Sequence, residues 1–106
     1  MTDYALFERA KSLNSKIFSQ LRLSILSILS TYLKDGVTYR DLKVALMVSD
    51  GALYSNIKAL EAMDYVNSDK VKVENKTLER YRITEEGLRA FINVKRWLAD
   101  LIKEAG

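Results

Sequence analysis

The chain has no cysteine, no histidine and no proline, and only four glycines in 106 residues. Without cysteine there is no disulfide, no thiolate nucleophile and no thiolate metal site. Without histidine the usual general base and the commonest metal ligand are also missing. The spacing of the remaining side chains assembles no nucleophile, base and orienting group, so neither an enzyme nor a metal or other cofactor is expected. Long apolar runs are absent as well. The longest, Val44-Ala45-Leu46-Met47-Val48, has five residues, against about 20 for a membrane-spanning helix. The start, Met1-Thr2-Asp3-Tyr4, lacks the basic and apolar stretches of a secretory signal. No membrane partner is expected, and the expected location is cytoplasmic.

Apolar residues make up 48% of the chain and charged residues 29%, a balance of folded rather than disordered chains. The length suits one domain, residues 1–106, with a core of its own. Seventeen basic residues against fourteen acidic ones give a net charge of +3. Such an excess is found in nucleic-acid binders and in many proteins that bind none, so the placement of the charges has to decide.

Residues 4–33 carry apolar side chains at three- and four-residue steps and predict helix, with a break at Ser12-Leu13-Asn14-Ser15, whose types favour caps over helix interiors. The part from 17 to 33 is apolar on most sides and should be the central helix, ending at Lys34-Asp35-Gly36. Thr38 caps a short helix that ends near Met47, and Ser49-Asp50 caps another to about Asp64. So short a connection forces a sharp angle, as in a helix-turn-helix. From Val66 the apolar period changes to two. Lys70-Val71-Lys72-Val73 and Arg80-Tyr81-Arg82-Ile83 alternate around the polar Glu74-Asn75-Lys76-Thr77, predicting a β-hairpin with Val71, Val73, Tyr81 and Ile83 inward and the four cations outward. Thr84 caps a last helix to about Glu104, striped by Phe91, Val94, Leu98, Leu101 and Ala105 and broad enough to serve both a core and a partner helix. Trp97 lies off this seam and suits either an interface edge or a cover for the core.

On the wheel of residues 50–63, Leu53, Ile57 and Leu60 share one side, and Gly51, Tyr54, Ser55, Lys58 and Ala62 share the other. The outward set is small or hydrogen-bonding and suits a DNA groove. Gly51 and Ala52 lack bulk, so this helix start can approach a phosphate or base edge closely. The expected architecture is α+β, mainly α: a winged helix-turn-helix with long N- and C-terminal helices forming a dimerisation surface.

The stretch from Val48 to Glu61, and Tyr81-Arg82-Ile83-Thr84-Glu85-Glu86-Gly87 after it, resemble the recognition helix and wing exit of small winged-helix transcriptional regulators. The resemblance is to MarR-like and ArsR-like groups, especially stand-alone archaeal proteins of this length. It implies a homodimer on double-stranded DNA, with the recognition helix at 50–63 in the major groove and the basic wing on backbone or minor groove. Ser49, Gly51, Ala52, Tyr54, Ser55 and Lys58 would lie against base edges and flanking phosphates. Thr38, Tyr39, Arg40 and Lys43 would touch the backbone from the preceding helix, and Lys72, Lys76, Arg80 and Arg82 would grip from the wing. Dimerisation would use helices at about 4–18 and 88–105, with Tyr4, Phe7, Ile17, Phe91, Val94, Leu98, Leu101 and Ile102 at the interface. Some relatives respond to small molecules, so an organic effector is compatible with the resemblance, whereas a thiol or conventional metal switch is not expected here. Residues 49–63 hold one cation, Lys58, against Asp50 and Glu61. That sparse charge is the best support for the alternative, a winged-helix protein–protein module of a transcription or sorting assembly.

Overall fold

The computed structural model describes residues 4–105. Met1, Thr2 and Asp3, which carry most of the signal-sequence reading, and Gly106 lie outside the described residues. Helix α1 (Tyr4–Ala10) is followed by a single 3₁₀ turn (Ser15–Ile17) and by α2 (Gln20–Thr31). The break falls where Asn and Ser predict it: the Asn14 side chain caps the turn and Ser19 caps α2, accepting from the Arg22 N–H. Ile25, Leu26 and Leu29 of α2 are fully buried, which makes it the central helix. Gly36 then turns the chain at φ 71°, a left-handed conformation that a Cβ disfavours.

Strand β1 (Val37–Thr38) leads into α3 (Tyr39–Leu46), α4 (Asp50–Ala62), β2 (Val66–Val73), β3 (Lys76–Ile83) and α5 (Glu85–Ala105). The strands form an antiparallel sheet in the order β1-β3-β2. The fold is thus mainly helical with a small sheet, a winged helix-turn-helix. Strand β1 is too short to show a period and was not legible in the sequence.

The hairpin differs from its sequence expectation in two ways. Its loop is a two-residue turn, with Glu74 and Asn75 both at positive φ, as a type I′ turn requires. Lys76 and Thr77 belong to β3 instead of the loop. This turn fixes the register Val66↔Ile83, Ser68↔Tyr81, Lys70↔Glu79 and Val71↔Leu78. Side chains alternate strictly along a strand, so Tyr81 and Ile83 share the core face with Val66. Val71 and Val73 lie on the opposite face with Leu78, Arg80 and Arg82. The four apolar residues expected on one side therefore divide between two.

Around α2 the core takes Leu42 from α3, Leu53, Ile57 and Leu60 from α4, Val66, Tyr81 and Ile83 from the sheet, and Phe91 and Val94 from α5. Ile17 is fully buried there too. Ile17, Phe91 and Val94, expected at a dimer interface, are thus covered by the chain's own core. Trp97 settles between its two expected roles: its Nε1 donates to the Leu6 carbonyl at 2.9 Å and its ring meets Phe18 edge-on. With the Arg9–Asp100 ion pair (2.8 Å) it docks α1 on α5.

The wing is seated on α5 at Tyr65, whose carbonyl accepts from the Thr84 N–H at 2.9 Å. Gly87 packs directly on this backbone: a Cβ there would collide with the Tyr65 carbonyl oxygen and stand 2.8 Å from the Tyr65 Cα. Around Gly51 nothing lies within 4 Å of such a Cβ. The same substitution therefore has opposite expected signs. Gly51→Ala should leave stability unchanged or raise it by up to about 1 kcal/mol through helix propensity. Gly87→Ala should lower it by roughly 1–3 kcal/mol or more through overpacking. Urea unfolding of both variants checks this; equal effects would contradict the packing.

Candidate nucleic-acid interface

Helix α4 is held by its inward face, by its start and by a tie at its middle. Leu53, Ile57 and Leu60 are buried, and Ser49 caps the start, its side chain accepting from the Ala52 N–H at 3.2 Å. Asn56, half-buried, accepts from Arg22 Nε at 2.9 Å and donates to the Ala52 carbonyl at 2.7 Å. Arg22 also donates to the Lys16 carbonyl at 2.7 Å. This group ties α4 to the start of α2 and carried no sequence signal, because the partners are 34 positions apart.

The outward face carries Gly51, Tyr54, Ser55 and Lys58, all exposed, with Ala52 half-buried at their edge. Ser55 Oγ donates to the Ala52 carbonyl at 3.3 Å. The Lys58 ammonium stands 5.3 Å from the Tyr54 ring centroid and 3.5 Å from a Glu61 carboxylate oxygen. Cation and ring brace each other without taking either out of solvent.

The turn between α3 and α4 has Met47 in the left-handed region at φ 54°. It is 88% exposed, so this uncommon conformation for a side-chain-bearing residue has little packing of its own to support it. Asp50 bridges the two helices beside it. Its carboxylate lies 2.8 Å from Lys43 Nζ and accepts from the Tyr39 hydroxyl at 3.1 Å. Lys43, then Tyr39, hold the Asp50 pKa below the usual carboxylate range. Burial, then this hydrogen bond, push the Tyr39 phenol up, so it stays a donor. Both groups keep these charge states at neutral pH. Lys43 and Tyr39, expected on the DNA backbone, are thus engaged with Asp50. Thr38 caps α3, accepting from the Asp41 N–H at 3.1 Å, and Arg40 is exposed beside it.

The wing cations divide into two groups. Arg80 meets Asp69 through Nε (2.9 Å) and Nη2 (2.5 Å), and Arg82 reaches the same carboxylate at 3.4 Å and the Lys34 carbonyl at 3.0 Å. Arg80 foremost, with Arg82, holds the Asp69 pKa low. Both guanidiniums are half-buried and point along the face opposite α4, so they brace the wing and are not free cations. The signal was in the sequence, since Asp69 precedes the alternating run, but it depends on the register. Lys70 and Lys72 occupy the face that rests on α4 at its base, where Ser68 Oγ meets Glu61 at 3.5 Å. Both are exposed, as is Lys76, and among the described residues no ion pair holds them. Lys70 was not among the residues expected at the interface.

Among the described residues, no helix is long and apolar enough to cross a membrane. Several solved structures share the fold. A transcriptional regulator homologue from Pyrococcus horikoshii superimposes with a TM-score of 0.78 at 23% identity, over 95% of this chain and 96% of that one. The MepR–DNA complex from S. aureus gives 0.71 at 14% identity, over 92% and 79%. The putative regulator ytfH from Salmonella typhimurium gives 0.65 at 26% identity, over 83% and 75%. No curated protein matches the sequence. The sequence profile of the winged helix DNA-binding domain matches residues 21–102, from the start of α2 to the last turn of α5, and this chain belongs to that family.

Proposed function

We propose that the chain is a transcriptional regulator of the MarR-like type that binds double-stranded DNA as a homodimer. The observation that carries this reading is the exposed ridge Gly51, Tyr54, Ser55 and Lys58, standing opposite the buried Leu53, Ile57 and Leu60. A major groove about 12 Å wide accepts a helix of about 10–12 Å diameter. Gly51 holds nothing between the helix backbone and a base edge, and the hydroxyls of Tyr54 and Ser55 supply donors and acceptors. Arg40, Lys70, Lys72 and Lys76 serve as phosphate contacts. MepR, which shares the fold, was solved as a DNA complex.

Two quantities favour a partner copy. The chain exposes 7145 Å², whereas a compact monomer of its mass exposes roughly 6000 Å². Its radius of gyration is 15.6 Å, against about 13 Å for a compact domain of this length. Tyr4 (75% exposed), Phe7 and Ile102 (72%) put apolar surface into solvent where α1 docks on the end of α5, next to half-buried Leu98 and Leu101. In a twofold dimer the two α4 helices would enter successive major grooves, roughly 34 Å apart, on an imperfect inverted repeat.

Duplex affinity should fall steeply with salt, because each neutralised phosphate releases counterions. A chain with no duplex affinity at low salt would instead fit a protein-binding module. Because each dimer carries two copies, Lys72→Ala should reduce the slope of log K against log salt by about 2. Arg80→Ala should leave that slope unchanged while lowering the melting temperature; a reversed pattern would contradict the assignment of wing cations. Ile102→Glu should convert the dimer to a folded monomer in sedimentation equilibrium and weaken binding to a two-half-site duplex. A variant still dimeric would place the interface elsewhere.

A further inference from the structure

Asp50 is the one acidic side chain in the first turn of α4, and 68% of it is exposed. A bare carboxylate there would be repelled by the phosphates lining a groove. The Lys43 ammonium at 2.8 Å cancels its net charge, and the Tyr39 hydroxyl at 3.1 Å fixes its orientation. An ionised carboxylate has about four acceptor positions. Lys43 and Tyr39 occupy two, and the exposed remainder lies at the edge of the ridge, one turn before Tyr54.

We propose that Asp50 is a specificity-determining residue that accepts a hydrogen bond from the exocyclic amine of a cytosine in the major groove. The inference rests on the DNA-binding reading and goes beyond it by naming a base. The discrimination follows from what each base edge presents there. Guanine shows only the acceptors N7 and O6, and thymine shows O4 beside a methyl group, so both repel or fail to satisfy a carboxylate. Adenine offers its N6 amine next to the N7 acceptor, which opposes a second carboxylate oxygen. Cytosine offers an N4 amine with no acceptor on that edge, and suits a carboxylate best. Lys43 and Tyr39 are positioning residues in this scheme: they hold the acceptor and offset its charge without touching the base.

The test is selection from a random duplex pool with the full chain, followed by sequencing, for the wild type and two variants. The wild type should enrich a site with one position per half-site preferring cytosine by about tenfold, within the range of a good side-chain–base pair. Asp50→Asn keeps the shape and a partner for Tyr39, and should shift that position toward adenine, which an amide reads through N6 and N7. Asp50→Ala should flatten it and leave the other positions as they were. Enriched sites identical for all three proteins would overturn the role of Asp50 while leaving DNA binding intact. No enriched site with the wild type would overturn both. Circular dichroism of each variant confirms folding before selection.

Discussion

Burial of Leu53, Ile57 and Leu60 against α2 is the constraint on which the rest depends. These side chains have 0–1% of their surface exposed, and full burial of each is worth about 1.5–3 kcal/mol. Turning α4 by half a revolution would expose them and force Tyr54, Ser55 and Lys58 into a core with no partners for their polar groups. The core side of α4 therefore fixes its solvent side. The helix itself draws on its Ser49 cap and on the helix-favouring run from Lys58 to Ala62. It is held by packing and by the Arg22–Asn56 hydrogen bond.

Charge is distributed with a comparable economy. The excess of three cations over the whole chain is modest, and several cations are committed inside the molecule. Lys43 is committed to Asp50, Arg80 and Arg82 to Asp69, and Arg9 to Asp100. Among the described residues, Arg40 on the exposed flank of α3 and Lys70, Lys72 and Lys76 on the wing have no ion-pair partner, and neither do Lys16, Lys34, Lys95, Arg96 and Lys103 elsewhere. Of the pairs, the exposed ones at Asp50 and Asp100 add little to stability, whereas the half-buried guanidiniums at Asp69 contribute more. The pairs also act geometrically: Asp50 joins the two helices of the turn beside the left-handed Met47, and Asp69 stiffens the strand pair. Both carboxylates are held below their usual pKa, so these braces persist at neutral pH and are lost only as acid protonates them.

Much of this was legible in the residues. The caps at Thr38, Ser49 and Thr84, the break near Asn14 and the two sides of α4 follow from local chemistry, which acts within four or five positions. What was not legible depends on distant partners. The hairpin turn has two residues instead of four, which slides the pairing by two positions; either even-numbered loop sets Val71 and Val73 on the face opposite Tyr81 and Ile83, so only the register, and not that division, waited on the structure. The fate of Arg80 and Arg82 followed from the same register, since it set Asp69 opposite Arg80. Ile17, Phe91 and Val94 gave the same apolar signal for a core as for an interface. Only the placement of α2 between them distinguished the two.

The central claim is that the outward ridge of α4, with the wing lysines, is the surface that meets a duplex. Amide and side-chain NMR shifts of labelled protein, titrated with a selected duplex at low salt, test it most directly. The account predicts the largest shifts at Gly51, Tyr54, Ser55 and Lys58, with Lys70 and Lys72 next and Val94 and Phe91 nearly unmoved. Shifts confined to α1 and the end of α5, with the α4 ridge silent, would contradict it.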